Sequence, residues 1–162
     1  MRNSNDIQPL RVVQPSEDAT DEPDETISVE GHKPLVPEGE YLARYIGHET
    51  AVLFSRAKKV ALRFEICEGP YQRTRLTRYY RAQQLIGKPG PGGRFQLSAG
   101  GDLYRMLARV LDVRTRPDRI SVRELRTRLL RIKVRTVTRD RDNRPLPESC
   151  HYSVIDAIED GR

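Results

Sequence analysis

The feature that most constrains the fold is the alternating pattern at the start of residues 58–82. Hydrophobic side chains occupy every second position there: Val60, Leu62, Phe64 and Ile66. Because successive side chains of a strand point to opposite faces, this pattern predicts a strand with one buried face and one wet face. Glycine and proline at 68–70 end the strand, and residues 75–81 (RLTRYYR) predict a second one. Together they predict a curved hairpin whose exposed face mixes cations and aromatic rings.

The charge of the chain is divided unevenly along its length. The net charge is +6 over 162 residues, but residues 1–37 hold three bases and eight acids, a balance of −5. The remaining 26 bases and 15 acids leave +11 on the rest of the chain, which favours anionic partners. Residues 1–36 lack hydrophobic periodicity, which predicts a disordered acidic N-terminal arm. The arm is either a solubilising tail, or its acidic run 17–25 folds over the basic surface and competes with phosphate.

Further elements follow from the same reasoning. A turn at 36–39 leads into a first strand at 40–48, before the hairpin. After the hairpin, the glycine-rich run 87–93 predicts a flexible loop, because it lacks the GxxxxGK[ST] pattern of a phosphate-binding loop. Asp102 is the predicted N-cap of a helix. Hydrophobic side chains recur there at helical spacing: Leu103, Met106, Leu107, Val110 and Leu111.

The last third of the chain predicts two more strands. Pro117 prevents the helix from continuing, and Ser121 is the predicted cap of one short helical turn, with Glu124 in the capping-box position. Residues 130–135 alternate between aliphatic and cationic side chains, which predicts a strand with a fully cationic wet face. A final strand is predicted at 150–158.

Three strands, one helix and two strands is the element order of an OB-fold, a small five-stranded barrel. We therefore predict a mainly β domain at residues 37–160, preceded by the disordered arm at 1–36. The domain is predicted to be a five-stranded OB-fold-like barrel with one helix between strands 3 and 4. In such a barrel, ligands bind on strands 2 and 3 and on the loops that join strands 1–2 and 4–5.

The predicted site residues lie on those strands and loops and are mostly cationic. The hairpin and the loop before it supply Phe54, Arg56, Lys58, Lys59, Arg63, Arg75, Tyr79 and Arg81. The last two strands and their loop supply Arg131, Lys133, Arg135, Arg139, Arg141 and Arg144. Because cations contact phosphates and rings stack on bases, this pattern predicts binding of unpaired nucleic acid. Since no base-reading arrangement is evident, we expect weak sequence preference.

Several of these side chains also have a structural interpretation. One of Tyr79 and Tyr80 is expected in the core, and the sequence leaves open which one. Phe54 stands in a binding loop in one interpretation and packs back onto the core in the other. The cations at 130–135 are either ligands or a solvated face, with Glu65 and Asp156 as candidate partners.

The sequence contains no catalytic or metal-binding constellation. Its histidines and cysteines form no HExxH or CxxC, and a zinc site built from His48, Cys67, Cys150 and His151 is disfavoured because these residues are not locally paired. Acids outside the arm are scattered among arginines, where ion pairing is the favoured role. We therefore predict no enzymatic activity, no cofactor and no metal. Without a signal-peptide pattern or a long apolar run, we expect a cytoplasmic protein with no membrane contact.

Several short motifs coincide with the predicted turns and strands. They are VPEGEY at 36–41, LRFEI at 62–66, EGPYQ at 68–72, VTRDRDNRPLP at 137–147 and YSVI at 152–155. Together they resemble small proteins of phages and bacterial mobile elements, many of them uncharacterised. The chain departs from the hairpin pattern at Arg73, where glycine is usual. The resemblance implies an OB-type single-stranded DNA-binding protein, with replication or recombination proteins of the same element as further partners.

The sequence therefore predicts one of two functions. The first is a single-stranded nucleic-acid binding protein with weak sequence preference, for DNA by resemblance and with RNA left open. The alternative is a small β-barrel protein-interaction module that binds no nucleic acid.

Overall fold

A computed structural model describes residues 31–115 and 117–162, so most of the predicted acidic arm, including the run 17–25, lies outside the described residues. The strands are β1 (Gly39–Leu53), β2 (Ala57–Ile66), β3 (Arg75–Arg81), β4 (Gln84–Ile86), β5 (Arg94–Gln96), β6 (Leu129–Val137) and β7 (Tyr152–Asp160). One α-helix, α1 (Asp102–Val110), follows β5, and short 3-10 helices span Val122–Thr127 and Glu148–Cys150.

Five strands form one antiparallel sheet in the order β3-β2-β1-β6-β7. Strand β1 is its centre, because residues 39–44 pair with β6 and residues 43–53 pair with β2. A bulge between Tyr45 and Gly47 lies just beyond the change of partner, and bulges bend a strand and increase its twist. The prediction of a mainly β domain with five antiparallel strands is confirmed.

The sheet is not closed into a barrel, so the predicted closure is wrong. No ladder joins β3 to β7, both of which lie wholly within the described residues. Instead, the Arg78 guanidinium of β3 donates hydrogen bonds to the carbonyl oxygens of Ile155, at 3.2 Å, and Asp156. A side chain therefore satisfies carbonyl groups of β7 that a neighbouring strand would otherwise pair. Helix α1 packs against both strands at this seam.

The glycine-rich run 87–93 is a loop, as its composition predicts. It joins β4 to β5 in a two-stranded hairpin that is hydrogen-bonded to β1. Thr50 donates its N–H to the carbonyl of Gly90 at 3.0 Å, and Gly92 donates to the carbonyl of His48 at 2.9 Å. A Cβ at Gly93 would collide with the Thr50 side chain. The close approach of Gly93 to β1 thus leaves no room for a side chain at this position.

The hydrophobic core joins one face of the sheet to α1. The helix buries Leu103, Met106, Leu107 and Val110 as its spacing predicts. The predicted N-cap is wrong, because Gly101 holds the extended cap position and Asp102 is the first helical residue. By contrast, Ser121 caps the 3-10 helix as predicted, accepting a hydrogen bond from the Arg123 N–H at 3.2 Å.

Two turns next to β2 hold bulky residues in left-handed backbone. Phe54 and Ser55, between β1 and β2, have φ values of 52° and 63°, and Arg73, between β2 and β3, has a φ of 70°. This region favours glycine, because a Cβ is crowded there. Arg73 is also the position at which the sequence departs from the glycine of the hairpin pattern.

Candidate nucleic-acid interface

The register of β2 and β3 determines which predicted site residues share a surface. The pairs are Lys59 with Arg81, Ala61 with Tyr79, Arg63 with Thr77, and Glu65 with Arg75. These eight residues alternate with core residues such as Leu62 and Leu76, so they lie together on the side of the sheet that faces away from the core. We call them the outer β2–β3 face. The structure thus brings together five predicted site residues: Lys59, Arg63, Arg75, Tyr79 and Arg81.

The two tyrosines of β3 have opposite environments. Tyr79 is 54% exposed on the outer β2–β3 face, whereas Tyr80 is 4% exposed and belongs to the core. Burial raises the pKa of Tyr80 to about 12. The Arg78 guanidinium lies 5.1 Å from the centroid of the Tyr80 ring. Tyr79 is therefore the tyrosine of this pair that is free to stack on a ligand.

Acidic side chains offset part of the positive charge at one end of the outer β2–β3 face. Glu65 is buried, and it accepts hydrogen bonds from Arg44 of β1 at 2.5 Å and from Arg75 of β3 at 3.2 Å. The hydrogen bond from Arg44, then that from Arg75, lowers the pKa of this carboxyl below its ordinary value. Arg63 also forms an ion pair, with Glu49 of β1. Arg63 and Arg75 are therefore less available to phosphate than the sequence suggests.

The start of β2, the turn before it and the end of β3 keep their positive charge. Arg56, Lys58, Lys59 and Arg81 form no ion pair with any described residue. With Tyr79, they line an open cleft of about 1000 Å³ that extends to the N-terminus of α1. Cations beside an exposed ring are the combination that single-stranded nucleic acid favours. We call these five residues the cationic end.

The turn between β1 and β2 meets the loop between β6 and β7. Phe54 is 82% exposed, so it does not pack into the core, and the Arg141 guanidinium lies 5.4 Å from its ring centroid. Asp140 stabilises the loop between β6 and β7 by accepting hydrogen bonds from the N–H groups of Asp142 and Arg144, at 2.9 and 2.8 Å. The Arg139 guanidinium donates to the carbonyl of Asn143 at 2.9 Å, within the same loop.

The cations of β6 lie on a separate surface, where acids compensate two of the three. Strand β1 separates β6 from β2, so Arg131, Lys133 and Arg135 are not part of the outer β2–β3 face. Arg135 pairs with Asp156 at 3.1 Å, as one interpretation of the sequence held, and Arg131 lies 3.9 Å from Glu40. Neither arginine reaches Glu65, which is already held by two others.

Sequence reasoning missed Arg44 and Glu49, although both decide the charge of the outer β2–β3 face. Arg44 lies opposite Glu65 in the β1–β2 ladder, and the bulge after Tyr45 shifts the register before Glu49. Without the position of the bulge, the sequence does not show which β1 side chains lie beside the hairpin. The alternation of side chains along β1 was therefore not enough to place Arg44 and Glu49 beside the hairpin.

The two histidines considered for zinc have other partners. His48 is hydrogen-bonded to the Tyr45 hydroxyl at 2.8 Å and to the carbonyl of Gly93 at 2.9 Å. His151 lies 3.1 Å from the carbonyl of Leu146, and burial raises the pKa of the Cys67 thiol. Within residues 31–115 and 117–162, no three His, Cys, Asp or Glu side chains come close enough to hold a metal ion.

Compared with known proteins, the chain matches no family model, no curated protein and no solved structure. In the part of the chain that the structure describes, every helix is too short or too polar to cross a lipid bilayer. The case for a function therefore depends on the geometry of the site.

Proposed function

We propose that the chain is a single-stranded nucleic-acid binding protein with weak sequence preference, rather than an enzyme. The observation that carries this proposal is the cationic end, where Lys59, Arg81 and Tyr79 lie side by side without acidic partners among the described residues. Cations that neutralise phosphates release condensed counterions, and an exposed ring adds about 1–3 kcal/mol for each base that stacks on it.

The strand connections support an OB-type fold for this binding protein. An OB-fold is a partly open barrel whose ligands contact strands 2 and 3 and the loops joining strands 1–2 and 4–5. Here β1, β2 and β3 form a meander, β1 also pairs with β6, and β7 lies beside β3 at the open seam. The contact between Phe54 and Arg141 joins the two corresponding loops. In this proposal β6 and β7 are strands 4 and 5.

The side chains of the outer β2–β3 face support weak sequence preference. Base edges are read by bidentate contacts, for example from asparagine or glutamine to adenine. None of the eight residues on this face carries an amide side chain, and two of its three arginines, Arg63 and Arg75, are paired with acids rather than free to read guanine. Stacking and phosphate contacts accept any base, so the affinity depends on the flexibility of the nucleic-acid strand and on the salt concentration rather than on base sequence.

The sequence motifs supply the remaining parts of the proposal. The resemblance to proteins of phages and mobile elements favours DNA over RNA and a cytoplasmic setting. It also favours replication or recombination proteins of the same element as partners.

Fluorescence polarisation with labelled oligothymidine, at a series of salt concentrations, tests the proposal. We expect tight binding at low salt and a log–log slope of about −0.7 for each phosphate contacted. The double variant Tyr79→Ala, Arg81→Ala should bind more weakly, with a shallower slope.

The matched control removes charge from the other surface. Arg131→Ala with Lys133→Ala deletes two cations of the β6 face and should change binding little. Absence of binding to oligothymidine at low salt would contradict the proposal and favour the protein-interaction module. Equal losses in both double variants would instead mean that net charge, not the cationic end, governs binding.

A further inference from the structure

The turn between β1 and β2 carries an aromatic side chain that the fold does not need. Phe54 and Ser55 both have positive φ, and the Arg56 N–H donates to the carbonyl of Leu53 at 3.2 Å, the pattern of a type I′ turn within the three-residue connection 54–56. Such turns favour Asn-Gly, because larger side chains are disfavoured in left-handed backbone. Burial does not offset this cost, since Phe54 is 82% exposed. An exposed ring in a disfavoured conformation indicates a binding role.

One cation contacts the Phe54 ring, and two more follow it in sequence. The Arg141 guanidinium lies 5.4 Å from its centroid, and exposed Arg56 and Lys58 follow the turn in sequence. An apolar ring flanked by cations suits insertion beside a base pair, because the cations contact the phosphates while the ring replaces a stacking partner.

The position of Phe54 differs from that of Tyr79. Tyr79 lies within the outer β2–β3 face, opposite Ala61, where a single strand can lie across it. Phe54 lies beyond the last pair of the β1–β2 ladder, Leu53 with Ala57. A base that stacks on Phe54 is therefore at the end of the binding surface, not in its middle.

We propose that Phe54 is a wedge for the junction between single-stranded and double-stranded nucleic acid. This inference rests on the proposed function of the outer β2–β3 face. The single strand occupies the cationic end, and the Phe54 ring inserts at the first base step of the duplex. Apolar side chains inserted at base steps partly unstack them, and a terminal pair costs least to open because it is stacked on one side only.

Three probes test this inference with the full chain: oligothymidine, a blunt duplex, and the same duplex with an oligothymidine tail. We expect the tailed duplex to bind about tenfold more tightly than oligothymidine alone. A 2-aminopurine in the terminal base pair should brighten on binding, since unstacking relieves its quenching. In Phe54→Ala, the ratio of the two affinities should fall to about one and the brightening should disappear.

A second variant separates the ring from the turn. Phe54→Asn with Ser55→Gly installs the residues that a type I′ turn favours, so it removes the ring without weakening the hairpin. It should lose the preference for the tailed duplex while its free energy of unfolding does not fall. The wedge is wrong if the native chain binds oligothymidine and tailed duplex equally, or if both variants keep the preference. Absence of binding to oligothymidine would overturn the proposed function as well.

Discussion

Arg44 of β1 donates a hydrogen bond of 2.5 Å to Glu65 of β2, its direct partner in the β1–β2 ladder. The same carboxylate accepts from Arg75 of β3 at 3.2 Å. One buried acid thus holds two arginines that are themselves 61% and 72% exposed. This arrangement makes the outer β2–β3 face asymmetric, because acids offset part of the positive charge around Glu65 and none of the charge of Lys59 and Arg81.

Replacing Glu65 should increase nucleic-acid affinity. Glu65→Gln removes the charge that holds Arg44 and Arg75, so both become available to phosphate. We expect tighter binding to oligothymidine at low salt and a log–log salt slope steeper by up to about 1.4, which is 0.7 for each of two added contacts. Fluorescence polarisation over a salt series measures both quantities.

The control for that variant is Glu40→Gln, which makes the same change of net charge beside Arg131 on the β6 face. Its affinity should change much less, because Glu40 lies beside Arg131 and its replacement releases neither Arg44 nor Arg75. An equal rise in both variants would show that net charge, not the release of Arg44 and Arg75, determines the affinity.

The free energy of unfolding should depend on pH through Glu65. Its arginine partners hold its pKa below the ordinary value of 4.5. A carboxyl with a lower pKa in the folded state stabilises the fold above its unfolded pKa, and this stabilisation is lost as pH falls through the folded pKa. We expect the native chain to be more stable than Glu65→Gln at neutral pH, with a difference that shrinks below about pH 4.5. Urea unfolding at a series of pH values measures this difference. If the difference in free energy of unfolding stays constant with pH, the ionised Glu65 carboxylate does not stabilise the fold.

Tyr80 should limit stability at alkaline pH. Burial raises its pKa from 10.0 to about 12, so the folded state keeps a proton that the unfolded chain loses. Its stabilising contribution is therefore complete below pH 10 and is lost as pH rises through about 12. Tyr80→Phe should unfold at higher pH than the native chain, as followed by circular dichroism. Tyr79→Phe, which removes an exposed hydroxyl of the same strand, should follow the native curve.

The contact between the β4–β5 hairpin and β1 should not tolerate a side chain at Gly93. Gly93→Ala places a Cβ against Thr50 and should lower the free energy of unfolding by about 1–3 kcal/mol, the usual cost of overpacking. Gly100→Ala is the matched control, because its Cβ meets no atom within 4 Å, and it should change stability by about 0.5 kcal/mol or less. Chemical denaturation measures both. Equal stabilities would mean that this hairpin does not depend on close packing.

Local signals predicted the elements better than their assembly. The alternation of Val60 to Ile66 and the spacing of Leu103 to Val110 identified a strand and a helix, because burial of one face leaves a periodic trace in sequence. The β4–β5 hairpin shows no such periodic pattern in the sequence. Its strands have three residues each, and the glycines between them are held by hydrogen bonds to β1 rather than by their own composition.

The sequence by itself determined the mainly β domain, the positive charge outside the acidic arm and the shared face of Lys59, Tyr79 and Arg81. These depend on periodicity and on charge, which are properties of the chain alone. Only the tertiary structure decided that Arg78 occupies the seam between β3 and β7 and that Glu65 binds two arginines. Pairing across strands depends on register, and the register of β1 shifts at a bulge that no local pattern reveals.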